Sequence, residues 1–348
     1  MSLRILLISP KFYGIEKEIR NELVRSGYEV EWIENVSLNL DYHAAKAKLK
    51  LLRFAYFLIF RPQVRYLKKK LSYLPDKRFD ILFFINGHLI CNSLLEILRK
   101  ENSLLKTVLY LWDASSLYSW EKEFRYFDRV ITFDPDDSKR YGINYIPNFY
   151  IEPKEIQRKN NRHDLFFAGK FSPQRLLALD IITEQFRKSE VDFYVKLWPA
   201  YKVYPHSRLL FNLLGKIKIK STWIRNYIIN YEAVEGIIKR DFIIKDSICF
   251  AEIQSHFMNS NVILDLQSHS QSGYSHRLIE SLANGKKLIT SNLNIRKEKF
   301  FNSEQIKIVD SERPDIDPKW IKDEVEFPVD NYFSSLELSA WLKNVLNA

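Results

Sequence analysis

The chain has 348 residues, of which 46% are hydrophobic and 28% are charged, and its formal net charge at pH 7 is +10. These proportions exclude a disordered or fibrous protein and predict a soluble globular one, and the length fits two domains of ordinary size. The positive charge indicates an anionic partner, which is nucleic acid, an acidic membrane surface or a phosphorylated small molecule.

The cysteines and the apolar runs predict a cytoplasmic protein. Two cysteines do not build a disulfide framework, so a reducing cytosol is the expected compartment. The opening residues lack the charged region and cleavage site of a signal peptide. The longest apolar run, residues 51–60, contains Arg53 and is far shorter than the roughly 20 residues that span a bilayer. We therefore expect no transmembrane segment.

Apolar strands alternate with helices through the first half of the chain. Residues 4–9 (RILLIS) predict a buried strand, residues 16–27 a helix that ends at Gly27, and residues 28–33 a second strand. Further strands are predicted at 80–85, 107–112 and 129–133, with helical stretches between them. This alternation is typical of βαβ units and a parallel sheet.

The same alternation resumes in the second half, after a polar stretch with two prolines near residues 146–163. Strands are predicted at 164–169, 192–198, 262–266 and 287–290. The predicted fold class is therefore α/β, with two Rossmann-like domains. The predicted boundaries are 1–150 for the first domain, 151–162 for a linker, 163–330 for the second domain and 331–348 for a terminal helix.

One segment of the second half, residues 260–292, combines a strand, a polar turn, a glycine and an amphipathic helix. Gly273 is expected to allow a close backbone approach and a positive φ. The helix that follows has Leu278, Ile279 and Leu282 on one side and Arg277, Glu280 and Asn284 on the other.

The start of this helix is a candidate anion site. The amides of Tyr274, Ser275 and His276 stand at a helix N-terminus, where a phosphate binds well. Glu280 follows about 9 Å along the helix axis, which is roughly the reach from a diphosphate to a ribose. The alternative is an exposed ion pair between Arg277 and Glu280 beside an ordinary turn glycine.

The segment SNVILDLQSHSQSGYSHRLIESLANGKKLITSN (260–292) resembles the donor site of GT-B glycosyltransferases, in particular the group-one and CgeB-like families of bacterial surface-polysaccharide transferases. Arg277, Glu280 and Gly285 match the R-x-x-E-x-x-x-x-G pattern. The resemblance implies two Rossmann-like domains that face a central cleft, a diphosphate held at the helix start, and a ribose held by Glu280. Gln267, His269 and Gln271 replace the earlier acidic residue of many relatives.

Residues 163–175 resemble the opening strand and loop of the family's second domain. Gly169 ends the predicted strand, Ser172 and Pro173 suit a helix start, and Lys170 and Arg175 bring positive charge that a bound anion would explain. The alternative for Lys170 and Arg175 is that they are solvated charges on the surface. Lys196 is predicted at the carboxyl end of the next strand, where α/β folds bind ligands.

Two residues of the first half are candidate catalytic bases. His88 and Asp113 each follow an apolar strand, where burial can tune a pKa towards neutrality. The alternative for both is a hydrogen-bonding cap in a strand–helix loop. Asp134, Asp136 and Asp137 suggest a metal site, but the run Pro135-Asp136-Asp137 is typical of a helix start, and the helix start is favoured. The family resemblance implies no catalytic metal, and no cofactor is expected beyond the nucleotide-sugar substrate.

Two basic stretches without acidic residues, 46–70 and 201–226, predict contact with an anionic membrane surface. Their apolar residues are alternatively part of the core, with the lysines solvated. No nucleic-acid-binding motif is present, so nucleic acid is not the expected partner. By resemblance, segment 331–348 packs back on the first domain.

The sequence therefore predicts a nucleotide-sugar-dependent glycosyltransferase, peripheral at the inner face of the cytoplasmic membrane. By the family resemblance, its acceptor would be a lipid-linked glycan, in capsule or lipopolysaccharide O-antigen synthesis. Two alternatives stay open: a nucleotide-sugar epimerase of the same architecture, and a non-catalytic glycan-binding relative.

Overall fold

The computed structural model describes residues 2–35, 62–74, 76–85, 92–115, 121, 123–153, 163–199, 232, 238–267 and 271–347. Their strands are β1 (Arg4–Ser9), β2 (Glu29–Glu34), β3 (Ile81–Ile85), β4 (Lys106–Leu111), β5 (Arg129–Thr132), β6 (Asn144–Tyr145), β7 (His163–Lys170), β8 (Phe193–Trp198), β9 (Ser260–Asp265), β10 (Lys287–Thr290) and β11 (Ile306–Ile308). Their α-helices are α1 (Ile15–Arg25), α2 (Pro62–Ser72), α3 (Asn92–Glu101), α4 (Pro135–Tyr141), α5 (Pro173–Lys188), α6 (Phe250–Met258), α7 (His276–Ala283), α8 (Pro318–Lys322) and α9 (Leu338–Asn347).

The chain forms two compact units. The first contains residues 1–152, 268–280 and 331–348, and the second contains residues 153–267 and 281–330. The boundary after residue 280 falls inside α7. In this division residues 268–280, which the sequence places in the second domain, group with the first unit.

Each unit is built on one parallel sheet. The strand order is β2-β1-β3-β4-β5-β6 in the first unit and β11-β10-β9-β7-β8 in the second. In both sheets the second strand lies on one side of the first strand and the third lies on the other. This is the doubly wound order, and it creates a switch point between β1 and β3 and another between β7 and β9. The predicted α/β class, with two parallel-sheet domains, is confirmed.

The core of the first unit follows from the alternation of side chains along its buried strands. On one face, strand residues pack against helices α2 and α3. The strand residues include Leu6, Ile8, Leu82, Phe84 and Leu109, and the helix residues are Leu67, Leu71, Leu94, Leu95 and Leu98. On the other face, Phe83 and Tyr110 contact Trp341 of α9, with ring centroids 6.4 and 4.7 Å apart. Helices therefore cover both faces of this sheet.

Helix α9 belongs to the first unit. The indole of Trp341 is fully buried, and its Nε1 donates to the carbonyl of Pro147 at 2.9 Å. Its ring centroid lies 4.4 Å from that of Phe149. The terminal segment thereby contributes a central side chain to the core of this unit.

The second unit is layered in the same way. Strand residues on one face pack with helices α5 and α8. The strand residues include Leu165, Phe167, Val195, Leu197, Val262, Leu264 and Ile289, and the helix residues are Leu179, Ile182, Phe186 and Ile321. On the opposite face, Phe166 contacts Phe257 of α6 at 6.1 Å, and Tyr194 stacks on His256 at 3.7 Å.

Helix α2 is the described part of the predicted basic stretch 46–70. Its apolar residues Leu67 and Leu71 are buried in the core of the first unit, whereas Lys68, Lys69 and Lys70 are exposed. Leu67 and Leu71 therefore belong to the core, whereas the three lysines remain for a partner surface. The second basic stretch, 201–226, lies outside the described residues. In the described ranges, no helix has the length and apolar character needed to cross a bilayer.

Candidate functional site

The loop before α7 lies on the carboxyl ends of two strands of the first sheet. Gln271 donates from Nε2 to Oδ1 of Asp113, just past β4, at 3.4 Å. Ser272 donates its amide and its hydroxyl to the carboxylate of Asp134, just past β5, at 2.7 and 2.6 Å. Because ligands of parallel α/β sheets bind beyond the carboxyl ends of the strands, residues 271–275 stand at the edge where a ligand site is expected.

Gly273 has one of its two expected properties. It is not among the positive-φ glycines of the described residues, so the predicted left-handed conformation is wrong. The close backbone approach is present: a Cβ at this position would lie 2.7 Å from Cδ2 of Phe133 and nearer still to the Phe133 carbonyl oxygen. The Gly273 amide donates to Oδ2 of Asp134 at 3.1 Å. Packing against the end of β5 therefore requires a glycine here.

Two predicted donor-binding residues organise the start of α7. The hydroxyl of Ser275 accepts from the amide of Leu278 at 3.0 Å, which is the bond of a helix N-cap. The carbonyl of Tyr274 accepts from Nδ2 of Asn148 at 2.9 Å, and Tyr274 itself is buried. These contacts fix where α7 begins.

His276, the first residue of α7, is a neutral histidine. Its Nδ1 donates to the carbonyl of Phe149 at 2.9 Å, and because a carbonyl only accepts, Nδ1 carries the proton. Its ring lies edge-on to Phe149 and Trp112, with centroids 4.7 and 6.0 Å apart. Burial lowers the pKa of His276 to about 4, despite the opposing hydrogen bond to Phe149. His276 therefore offers no positive charge to an anion at neutral pH.

Arg277 and Glu280 occupy the half-buried side of α7. Leu278, Ile279 and Leu282 are buried on the other side, as the sequence predicts. The helix ends at Ala283, and Gly285, with a φ of 64°, terminates it together with the bond from the Lys286 amide to the Ser281 carbonyl. A short amphipathic helix thus presents one arginine and one glutamate a single turn apart.

Arg175 bridges two strand ends at the switch point of the second sheet. Its Nε donates to the carbonyl of Leu266, past β9, at 3.0 Å, and its Nη1 donates to the carbonyl of Lys170, in β7, at 2.9 Å. Gly169 admits this guanidinium, because a Cβ there would lie 3.3 Å from Nη1. Two protein carbonyls therefore account for an arginine at the start of α5 without a bound anion.

The start of α5 agrees with the sequence prediction, whereas the position of Lys196 does not. The Ser172 hydroxyl caps α5 by accepting from the Arg175 amide at 3.2 Å, and Pro173 is the first helical residue. Lys196 is paired with Ala168 inside β8, which continues to Trp198. Its Nζ lies 5.6 Å from the centroid of the Tyr194 ring. It is therefore a strand residue and not the residue that closes the strand.

Sequence reasoning missed a polar network at the carboxyl edge of the second sheet. Asn292 donates from Nδ2 to Oε1 of Gln267 at 2.8 Å, and the Gln267 amide donates to the hydroxyl of Ser291 at 2.9 Å. The Thr290 hydroxyl donates to the buried carboxylate of Asp265 at 3.0 Å. The available signal was the run Thr290-Ser291-Asn292, which begins at the last residue of a predicted strand.

The acidic residues at 134–137 form a helix start, as predicted. Asp134 caps α4, Pro135 is its first residue, and the carboxylate of Asp137 accepts from the amide of Ser115 at 2.6 Å. The described parts of the chain contain no group of three or more residues suited to holding a metal ion. His88 lies outside the described residues.

The predicted site residues fall into two groups. Those of the first unit are Asp113, Gly273, Tyr274, Ser275, His276, Arg277 and Glu280. Those of the second unit are Gly169, Lys170, Arg175 and Lys196. Within the first unit, the hydrogen bond from Gln271 joins the candidate base Asp113 to the loop that leads into α7.

Comparisons with known proteins give remote likenesses only. No protein-family model and no curated protein sequence matches the chain. A solved structure of the apo form of the lipopolysaccharide outer core galactosyltransferase WaaB is similar at 12% identity and a TM-score of 0.36, covering 83% of this chain and 80% of that one.

Two further similar structures are a putative UDP-N-acetylglucosamine 2-epimerase from Listeria monocytogenes and a UDP-N-acetylglucosamine 2-epimerase from Rickettsia bellii. The first has 9% identity, a TM-score of 0.40 and coverage of 89% of this chain and 85% of that one. The second has 10% identity, a TM-score of 0.42 and coverage of 100% of this chain and 96% of that one. Likenesses this remote do not bear on activity.

Proposed function

We propose that this protein is a glycosyltransferase of the GT-B fold, which moves a sugar from a nucleotide-sugar donor to a glycan acceptor. The observation that carries the proposal is the segment 271–285. It joins a loop at the carboxyl edge of a parallel sheet to a capped helix with Arg277 and Glu280 on its half-buried side and Gly285 just past its C-cap. This spacing is the one on which the resemblance to GT-B donor sites depends.

The donor diphosphate is proposed to bind at the N-terminus of α7. The helix dipole places partial positive charge there, and Arg277 adds a guanidinium that suits a phosphate. Glu280 follows one helical turn after His276, about 6 Å along the axis, and its carboxylate accepts from ribose hydroxyls. The Gly273 amide donates to the Asp134 carboxylate, so the proposed phosphate contacts begin with the amides that follow Gly273.

The proposed reaction replaces one bond at the anomeric carbon by another. An acceptor hydroxyl oxygen forms the new bond, and the bond from the anomeric carbon to the diphosphate oxygen breaks. Arg277 and the helix dipole stabilise the departing charge. Asp113 is the proposed base that takes the hydroxyl proton, and His88 remains the second candidate. Roles for Gly169, Lys170 and Lys196 in donor binding stay predictions.

A lipid-linked acceptor and attachment to an anionic membrane are the finer parts of the proposal. Support comes from Lys68, Lys69 and Lys70, which are consecutive and exposed on α2. Each basic residue near an anionic bilayer contributes about 1 kcal/mol. Vesicles of anionic lipid should therefore sediment the protein at low salt, and changing these three lysines to glutamate should release it.

The donor site is tested in two stages. A thermal-shift screen of UDP, GDP, dTDP and CMP should identify one stabilising nucleotide. Glu280→Gln and Arg277→Ala should then lower turnover by about 100-fold or more, while Glu312→Gln and Arg313→Ala, at exposed positions, should not. No stabilising nucleotide, or full turnover in both site variants, would overturn the assignment. Sugar epimerisation without an acceptor would identify an epimerase instead.

A further inference from the structure

Asp134 is a buried carboxylate that the proposed chemistry does not use. It is 2% exposed and lies between β5 and α4. Its Oδ1 accepts from the amides of Asp136 and Asp137 at 3.0 and 3.2 Å. Its Oδ2 accepts from the amides of Ser272 and Gly273 at 2.7 and 3.1 Å, and the Ser272 hydroxyl donates to Oδ1 at 2.6 Å.

These bonds give one side chain two tasks. Through Oδ1 it caps α4 and accepts from the Ser272 hydroxyl, and through Oδ2 it accepts from the amides of Ser272 and Gly273, in a loop that is more than a hundred residues away in the chain. An ionised carboxylate has about four acceptor positions, and five donors already contact this one. Asp134 is therefore occupied by protein donors, so it acts on a ligand only through the loop that it holds.

The loop that Asp134 holds leads directly into α7. Ser272 and Gly273 are fixed to Asp134, and Gly273 packs against Phe133 next to it. Two residues later, Ser275 caps the helix that carries Arg277 and Glu280. The position of Asp134 at the end of β5 thus sets where this helix begins.

We propose that Asp134 is a positioning residue for nucleotide-sugar binding: it fixes residues 272 and 273 on the end of β5 and so places Arg277 and Glu280 for the donor. The proposal rests on the proposed function. Hydrogen bonds to a buried charged acceptor are among the stronger ones in proteins, and unsatisfied donors left by its removal are costly. Loss of the carboxylate should therefore loosen the loop.

The conservative variant Asp134→Asn separates the two tasks. Asparagine caps helices as well as aspartate does, so its one oxygen can keep the bonds to the amides of Asp136 and Asp137 and to the Ser272 hydroxyl. Its NH₂ group would then face the amides of Ser272 and Gly273, and two donors repel each other. Asp136→Asn is the matched control, because Asp136 is an exposed carboxylate on the same helix.

The first measurement is amide hydrogen exchange of a peptide covering residues 271–280. Exchange should be about tenfold faster or more in Asp134→Asn than in wild type, and unchanged in Asp136→Asn. The thermal midpoints of the two variants show whether the fold survives. Equal exchange of this peptide in Asp134→Asn and wild type overturns the positioning role, whether or not the protein uses nucleotide sugars.

The second measurement separates positioning from a merely structural role. In Asp134→Asn, KM for the nucleotide sugar should rise about tenfold, with a smaller fall in kcat, while Asp136→Asn keeps both values. Faster exchange with an unchanged KM overturns the proposal, since the loop would then move without consequence for the donor. A wild-type protein that binds no nucleotide defeats the proposed function, and the exchange result still decides whether Asp134 holds the loop.

Discussion

The ring and the carbonyl oxygen of Phe133 occupy the space that a side chain at Gly273 would need. The Phe133 atoms Cδ2 and Cε2 lie 2.7 and 2.8 Å from the position of an added Cβ. Both residues belong to the first unit, although they are far apart in sequence. This contact explains why a chain with only 9 glycines has one at this position.

Gly273→Ala should push the loop off the end of β5. Overpacking a tight contact costs about 2 kcal/mol, which urea denaturation of the purified protein measures. Gly142→Ala is the control in the same unit, because its φ is 65° and an added Cβ would meet nothing within 4 Å. The control should cost only about 1 kcal/mol of left-handed backbone strain and should leave nucleotide binding intact. Equal effects on nucleotide binding would show that the Phe133 contact does not matter to the site.

His276 should make the protein sensitive to acid. Its pKa is about 4 in the folded state because of burial, and about 6.5 in the unfolded chain. Between these values the unfolded state binds more protons, so the free energy of unfolding falls as the pH drops through this window. The contribution of His276 is complete above pH 6.5, and about 2 kcal/mol of it should be lost between pH 7 and pH 5.

The matched variant for this prediction is His276→Asn, whose amide group can still donate to the Phe149 carbonyl but does not titrate. Urea denaturation of wild type and variant at pH 7 and pH 5 gives the acid-induced loss in each. The loss should be about 2 kcal/mol smaller in the variant. Parallel pH dependence in the two proteins would mean that His276 is not the residue responsible.

Arg175→Lys should destabilise the second unit. The guanidinium reaches the carbonyls of Leu266 and Lys170 at once, and a single ammonium on a flexible aliphatic stem does not reproduce this fork. We expect a loss of about 1–2 kcal/mol, measured by urea denaturation. Arg187→Lys, on the same helix, alters an exposed ion pair with Asp241 and should cost under about 0.5 kcal/mol. Unchanged stability with weaker nucleotide binding would favour the anion-binding role predicted from the sequence.

Much of the fold follows from local sequence. The apolar runs predict β1, β3, β4, β7 and β10, and each is a strand of a parallel sheet. Pro135 starts α4, and Ser172 with Pro173 starts α5, as predicted. The short strands β6 and β11, of 2 and 3 residues, were not predicted, because pairing with the neighbouring strands β5 and β10, and not their own sequence pattern, makes them strands.

The details of the site were less predictable, because they depend on contacts between distant residues. The role of Gly273 depends on its contacts with Phe133 and Asp134, and the sequence around Gly273 does not predict these contacts. Lys287 shows the same principle in the second sheet. It is 3% exposed in β10, where its Nζ donates to the carbonyls of Trp320 and Asp323, both at 2.6 Å. From sequence alone, a lysine in a strand is expected to have an exposed side chain, because its carbonyl partners are distant in the chain and are known only from the structure.

Asp113→Asn tests the proposed catalytic base. Asp113 is half-buried just past β4, and its Oδ1 accepts from Nε2 of Gln271, in the loop that leads to α7. Asparagine keeps the size of the side chain and an acceptor oxygen, but it does not take a proton from an acceptor hydroxyl. Turnover with donor and acceptor should therefore fall by about 100-fold or more, with little change in nucleotide affinity.

Asp136→Asn again serves as the control for removing one carboxylate near this edge, and it should turn over like wild type. If Asp113→Asn also keeps wild-type turnover, the hydroxyl proton leaves by another route. His88 would then be the next residue to replace. A large loss of nucleotide affinity in Asp113→Asn would instead give Asp113 a role in holding Gln271 and the loop, because the amide would have lost the charge that attracts the Gln271 donor.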